Sequence, residues 1–557
     1  MSFYDPEVDA LIGNSPKLPA VIVAPQQADL AMGAFDGADR LSAELLSWNP
    51  TILSADGELL ADKLELDGRS KDSMRNDSYV QNGADIQKDT VVGSAFLLNS
   101  KPVSRVLGLD EVWEQEFQEE VEAKFTLAAE SPNNYFDAAG KLTFTELIRL
   151  FTGIYAYSGE YLASVEWLRE AGRPFRTAIQ MIDLDRLCNP FGAMDDQNLR
   201  RGVEINRNGR PVAYHVLKAY PTDNVTDGSN MEWKRVPARK PWGRIQMIHK
   251  FDPWRPDQSR GFSQMVAALK EMRMTKKFRD IVLQSAVLQA TYAATIESDL
   301  PSEAVFAALG AGQRTKGMNA WANSYMADIA KYTGKRHLQV NNVKVPHLWP
   351  GTKFNLQTAA TPGGLGSTFE ESMLRYISTA LKVSYEQLSH DYSKVNYASA
   401  RAGANETQKH MFVRKRICAD HAASCIYRLW LEEMLNTGQI DSLPRNPPSW
   451  YEGMNMDAYA NSEWIGAGRG QIDELKETQA AVLRVKNNLS TFEEEMGRLG
   501  KDWRRVFKQR AREQRIMKEL DLTMPEDNMM NAASGSPRSA DDVEKDNETE
   551  KNKDADE

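Results

Sequence analysis

The sequence predicts an α+β chain, mainly helical and divided into several folded units. Three observations carry that expectation. Residues 262–296 run without a single Pro or Gly, and a continuous helix over them would be about 50 Å long at 1.5 Å per residue. Residues 160–250 break instead into short strand-like pieces around a turn. The 557 residues exceed what one hydrophobic core holds, so three or four folded units are expected.

Taken in order, residues 1–80 are rich in Asp, Gly, Pro and Ser and predict an arm with short helical pieces. Residues 85–99, "DIQKDTVVGSAFLLN", read as a helix running into an extended segment. Residues 110–129 predict a helix with Trp113, Phe117, Val121, Phe125 and Ala128 on one face. "TFTE" at 143–146 has capping-box spacing, followed by Phe144, Leu147, Ile148, Phe151 and Ile154 at helical spacing. "EYLASVEWL", "RTAIQMI", "GVEI", "PVAYHVL" and "RIQMIHKF" read as strands, and Asn208-Gly209 in "NRNGRP" as a hairpin turn.

In the long 262–296 stretch, Met274, Phe278, Ile281, Ser285, Leu288 and Tyr292 step by four and three, the spacing of a packing seam. Residues 297–358 are a Pro- and Gly-punctuated insert with one helical piece ("PSEAVFAAL") and strand-like pieces in "RHLQVNNVKVPHLWP". Residues 367–383 are helical. "SYEQLSHDYSKVNYASARA" (384–402) is polar, with three tyrosines and no apolar run. Residues 402–436 predict a second long helix with Ala419, Ala423, Ile426 and Trp430 on one face. Residues 471–519 are helical and charged. Such a series suits a part that stacks side by side with copies of itself.

Composition narrows the function. Residues 525–557 hold eleven Asp/Glu and four Lys/Arg, so most of the net charge of −10 sits in a tail expected to be disordered. The remaining 524 residues carry only about −3, too near neutral for a high-affinity nucleic-acid binder. Three cysteines are too few for a disulfide framework and suit a reducing cytoplasm. Neither a secretory signal nor an apolar run of membrane-spanning length is visible.

The chemical motifs are mostly missing. There is no G-x-x-x-x-G-K-[ST], no G-x-S-x-G and no H-E-x-x-H. "GGLGST" (363–368) reads as a connector rather than an anion cradle. His249 stands alone. Cys418, His421 and Cys425 share a helical face, but zinc wants a fourth ligand, and an Ala-rich helix favours small core residues. Neither a metal nor a cofactor is expected. "KEMRMTKKFR" (270–279) reads as a solvated face. Residues 501–518 hold eight Lys/Arg against Asp502 and Glu513; there a DNA-facing or partner-facing role stands level with a solvated surface, and the acidic tail just beyond is a candidate shield.

Five pieces, taken together, resemble the portal proteins of lambda-like tailed bacteriophages: "RNDSYVQNGADIQKDTVVGSAF", "GVEINRNGRPVAYHVL", "IHKFDPWRPDQSRGFS", "HDYSKVNYASARA" and "WIGAGRGQIDELKETQAA". They occur in family order over roughly residues 30–515. One departure is Asp473-Glu474, where the family has Asp-Pro. The resemblance implies the portal fold and a ring, usually of twelve subunits, at one capsid vertex. Projected on this chain, 1–80 is an N-terminal arm, 81–261 the wing, 262–296 the first stem helix and 297–358 the clip. Residues 359–383 are the second stem helix, 384–401 the tunnel loop, 402–460 the long helix returning to the wing, 461–524 a crown-like region and 525–557 the acidic tail.

The same resemblance assigns His390, Asp391, Tyr392, Ser393, Lys394, Asn396 and Tyr397 to a loop facing the DNA channel, although Tyr397 with Arg401 also suits a helix cap. Met274, Phe278, Ile281, Leu288 and Tyr292 become the stem-helix seam. The implied partners are further copies of the chain, terminase, the head–tail connector, major capsid or scaffold protein, and double-stranded DNA passing without sequence specificity. The implied location is the virion vertex, assembled in the host cytoplasm, with no membrane and no catalysis. The alternatives are a head–tail adaptor or minor capsid protein and, further off, a packaging enzyme.

Overall fold

The computed structural model describes residues 47–291 (except 221 and 224–227), the strand pair Leu338–Val340 and Val343–Val345, and residues 362–522 (except 471–472). Three helices open it: α1 Ala55–Leu59, α2 Lys63–Asn76 and α3 Ser78–Val91. The arm expected over 1–80 is therefore helical from Ala55 onward. Its polar composition hides this because α2 buries Lys63, Asp67 and Ser70 rather than an apolar stripe.

Strand β1, Leu97–Ser100, follows, and then α4, Glu111–Ala129, capped by Asp110 accepting from the Trp113 amide. Trp113, Phe117, Val121 and Phe125 are buried as expected, and the face ends on Ala129 rather than Ala128. Helix α5, Phe144–Ser158, has the capping box: Thr143 accepts from Glu146 N, and the Glu146 side chain returns to Thr143 N. It stops at Gly159, whose φ of +73° is left-handed. A Cβ there would overlap the Phe262 carbonyl, so a side chain is barred as well as strained.

The β region forms two antiparallel layers. β2 (Glu160–Trp167) is the centre of a three-stranded sheet between β3 (Thr177–Ile182) and the last strand of the region, Met247–Phe251. The second sheet runs β4 (Leu199–Arg200), β5 (Val203–Ile205), β6 (Pro211–Leu217) and β7 (Trp233–Pro237) in order, which makes Met247–Phe251 β8. Asn206 N bonds Arg210 O across the β5–β6 turn, with Gly209 left-handed at +74°, as "NRNGRP" predicts. Strand β7 was not legible from its sequence. A small core of Leu162, Leu184, Leu187, Val203, Tyr214 and Val216 lies between the sheets.

The 262–296 stretch begins with a 3-10 turn, Gln264–Ala268, and continues as α6, Leu269–Thr291. Of the following insert only the hairpin β9 (Leu338–Val340) and β10 (Val343–Val345) is described, and it is antiparallel; "PSEAVFAAL" lies outside the described residues. Helix α7, Pro362–Leu381, takes in "GGLGST", so the expected connector is the helix's own first turns. Helices α8 (Tyr385–Ser389) and α9 (Tyr397–Arg414) follow. After α9 the chain makes a π-helical turn, Lys415–Asp420, and goes on as α10, His421–Asn436. Ala419 in the π turn and Ala423, Ile426 and Trp430 on α10 are all buried.

Helix α10 lies at the centre of the main core. The Phe125 ring stands edge-on to Phe144 at 5.1 Å and to Trp430 at 5.2 Å. Beyond it come α11 (Asn455–Tyr459) and β11 (Ser462–Ile465). β11 pairs antiparallel with β1, Leu97 opposite Ile465. The body thus reaches at least Ile465, past the expected division at 460/461, because a strand some 360 residues upstream claims that segment. The last helices are α12 (Glu474–Lys486), α13 (Phe492–Arg498) and α14 (Trp503–Glu519), each with its own side-chain N-cap.

Candidate functional site

The polar 384–401 segment is more regular than a loop. Ser384 accepts from the Gln387 amide and the Gln387 side chain returns to Ser384 N, a capping box that opens α8. His390, left-handed at φ +56°, ends it. Asn396 caps α9, its Oδ1 2.9 Å from the Ser399 amide nitrogen. Only 390–396 is left outside helix. Tyr397 and Arg401, expected within the loop, lie on α9, and the side chain of Tyr397 is outside the described residues.

Within 390–396 the polar groups are locally satisfied. Asp391 accepts from the Ser393 hydroxyl at 2.6 Å and from its amide at 3.0 Å, and these bonds lower its carboxyl below the ordinary carboxylate value. Lys394 does not pair with Asp391. Its Nζ reaches Glu371 Oε1 on α7 at 2.5 Å, which raises the ammonium pKa. Tyr392 is 53% exposed, and His390 and Ser393 are exposed too.

The base of the segment is clamped to α3. Leu388 is buried, and with Leu381 it packs over Gly83, where a Cβ would collide with Leu381 at 2.7 Å. Asn82 Nδ2 donates to the carbonyls of Leu388 (3.0 Å) and Gln387 (3.3 Å) at the end of α8. Gln87 Nε2 donates to the Leu381 carbonyl at the end of α7. These side chains satisfy carbonyls that a helix end leaves without a partner. The result is a short exposed loop on a fixed base.

The expected seam on α6 divides. Met274 and Ile281 are 58% and 53% exposed in the single chain. Phe278 meets the Phe369 ring of α7 at 5.2 Å. The side chain of Leu288 and all of Tyr292 lie outside the described residues. Within the chain α6 instead buries Leu269, Met272 and Thr275. Arg279 stacks over Tyr79 at 4.2 Å and bonds Glu370, tying α6 to α3 and α7.

Cys418, His421 and Cys425 serve the core. Cys418 is buried, and His421 Nδ1 lies 3.0 Å from the Tyr161 hydroxyl. Burial lowers the His421 pKa to about 4 and raises that of Cys425 to about 11. No group of three metal-ligating side chains occurs among the described residues.

One buried charge cluster was not legible in the sequence. Glu160, fully buried at the start of β2, accepts from Arg260 (2.8 Å), His249 Nε2 (3.1 Å) and the Gly261 amide (2.7 Å), with Lys63 Nζ at 3.2 Å. Lys63 also holds Asp67 at 2.6 Å. Burial alone would raise the Glu160 carboxyl; the Arg260, Lys63 and His249 charges and bonds overcome it and hold the group well below its ordinary value. Arg260 further bonds the carbonyls of Leu187 and Arg201. His249 therefore has a structural partner. Five side chains, from 63–67, 160, 249 and 260, meet here, and no spacing rule connects them.

The site is thus a short polar loop presented on a base that is hydrogen-bonded to α3. Residues 42–415 match the family model described as phage portal protein, lambda family, and the chain belongs to that family. Portal protein B of Escherichia phage lambda is 34% identical over 493 residues, 88% of this chain and 91% of that protein. The portal protein of Escherichia phage N15 is also 34% identical, over 88% of this chain and 92% of its own length. A chain in the solved virion of a native gene transfer agent particle aligns at 13% identity with a TM-score of 0.36, covering 77% of this chain and 90% of that one.

Proposed function

We propose that this portal protein works as a homo-oligomeric ring, usually of twelve subunits in its family, at one capsid vertex. Double-stranded DNA enters and leaves through the bore. The carrying observation is the family match across 42–415, which spans both α6 and the 384–401 segment. In this reading α6 and α7 are the stem and 297–358 the clip. The exposed Met274 and Ile281 then face a neighbouring subunit, which relieves the cost of leaving them in water. Terminase, the head–tail connector and capsid or scaffold protein dock on the ring, and the packaging motor is a separate chain.

Residues 390–396 line the bore. Moving DNA needs a polar wall without free cations, since each lysine–phosphate contact adds affinity and a ring multiplies it. The Lys394–Glu371 pair supports this role because it neutralises the only lysine of the loop. Electron microscopy with mass measurement on the purified protein tests the ring. Closed rings with a central hole are expected; a compact dimer at every concentration, or intrinsic ATPase or nuclease activity, would sink the reading.

A further inference from the structure

Helix α14 is strongly basic, with seven Lys/Arg against Glu513 and Glu519. Arg505, Lys508, Arg512 and Arg515 recur at steps of three, four and three, which puts them on one face. The opposite side is seated through Phe507, whose ring meets Phe492 and Trp503, each at 5.4 Å. At the N-terminal end the cations are used: Lys508 pairs with Glu119 at 2.9 Å, and Arg504 and Arg505 lie 3.8 Å from Glu122 and Asp502. Beyond that, Arg510, Arg512, Arg515 and Lys518 are exposed and form no ion pair with any described residue. Arg512 and Arg515, neighbours on the basic face, are thus open to a polyanion.

The chain carries its own. Residues 541–557 hold nine carboxylates against three lysines. They are joined to the end of α14 by 523–540, eighteen residues that span up to about 60 Å when extended. The helix itself is about 25 Å long, so the acidic stretch reaches every position on the stripe. Attachment to the same chain gives it an effective concentration on the order of millimolar. We propose that residues 541–557 lie back along the Arg512–Arg515 end of α14 and cover it against other polyanions, nucleic acid first among them. This assignment does not depend on the ring.

The test uses the full chain and a short double-stranded DNA as competitor at about 50 mM salt, where phosphate contacts are strong. Neutralising the tail (Asp541→Asn, Asp542→Asn, Glu544→Gln, Asp546→Asn, Glu548→Gln, Glu550→Gln) should tighten DNA binding about tenfold and steepen its salt dependence. Adding Arg512→Gln and Arg515→Gln, both on the surface, should remove that gain. Carbodiimide coupling of the native protein should join Lys518 to carboxylates within 541–557, and high salt should abolish the link. Unchanged DNA affinity after tail neutralisation would overturn the proposal. So would a gain that survives the α14 substitutions, since it would then reflect net charge alone.

Discussion

Glu160 shows how much one buried side chain decides. It is fully enclosed, and its three partners come from α2, β8 and the segment before α6. Replacing it with Gln would leave Arg260 in the interior without its counter-charge, a loss of about 3–5 kcal/mol for a broken buried pair, while Lys63 keeps Asp67. Urea unfolding of Glu160→Gln should show that loss, and an unchanged midpoint would mean the cluster contributes nothing. Its low folded pKa also sets a sign. The stabilisation is complete above the unfolded value of 4.5 and disappears as pH falls through the lower folded value. His421 acts in a higher window. Its pKa falls from 6.5 unfolded to about 4 folded, so between those values the unfolded chain binds the extra proton and stability declines on acidification. His421→Gln should therefore lose less stability than the parent between about pH 7 and pH 4.5, read from urea midpoints; equal losses would put the titrating group elsewhere.

Among the elements, α6 and the α9–α10 helix divide their surfaces in the same manner. Each has one part buried in the body and another exposed. On α6 Leu269 and Met272 are covered while Ile281 is not, and on α9 Phe412 and Val413 are 54% and 59% exposed. The π turn Lys415–Asp420 sits where the second helix passes into the core, with Lys415 bridging Asp420 and the Trp464 carbonyl. Ile281→Pro removes one helical hydrogen bond and clashes with the preceding turn, at about 3 kcal/mol or more. Because Ile281 is exposed in the single chain, the body should stay folded while ring assembly is lost. Normal rings from that variant, seen by microscopy, would count against α6 as a stem helix.

At the scale of the whole molecule the proposed DNA bore needs a loop that is polar, exposed and electrically quiet. Glu371→Gln removes the carboxylate that neutralises Lys394 without touching the loop. An assembled ring carrying it should retain DNA more strongly at low salt and package it more slowly. A ring with unchanged retention would show that Lys394 does not face the bore.

Much of this was legible in the sequence. The capping box at Thr143, the apolar faces of α4 and α10, five of the strands and the Asn-Gly turn follow from local spacing and turn chemistry, which act over a few residues. The family resemblance was legible as well, in motif order across most of the chain. Only the tertiary structure decided the rest. It turned the polar 55–80 stretch into packed helices, drew β11 to β1, gave Lys394 to Glu371 and gathered the charges around Glu160. In each of these cases the deciding contact joins residues far apart in the chain, and periodicity carries no information about which distant charge or strand will be the neighbour.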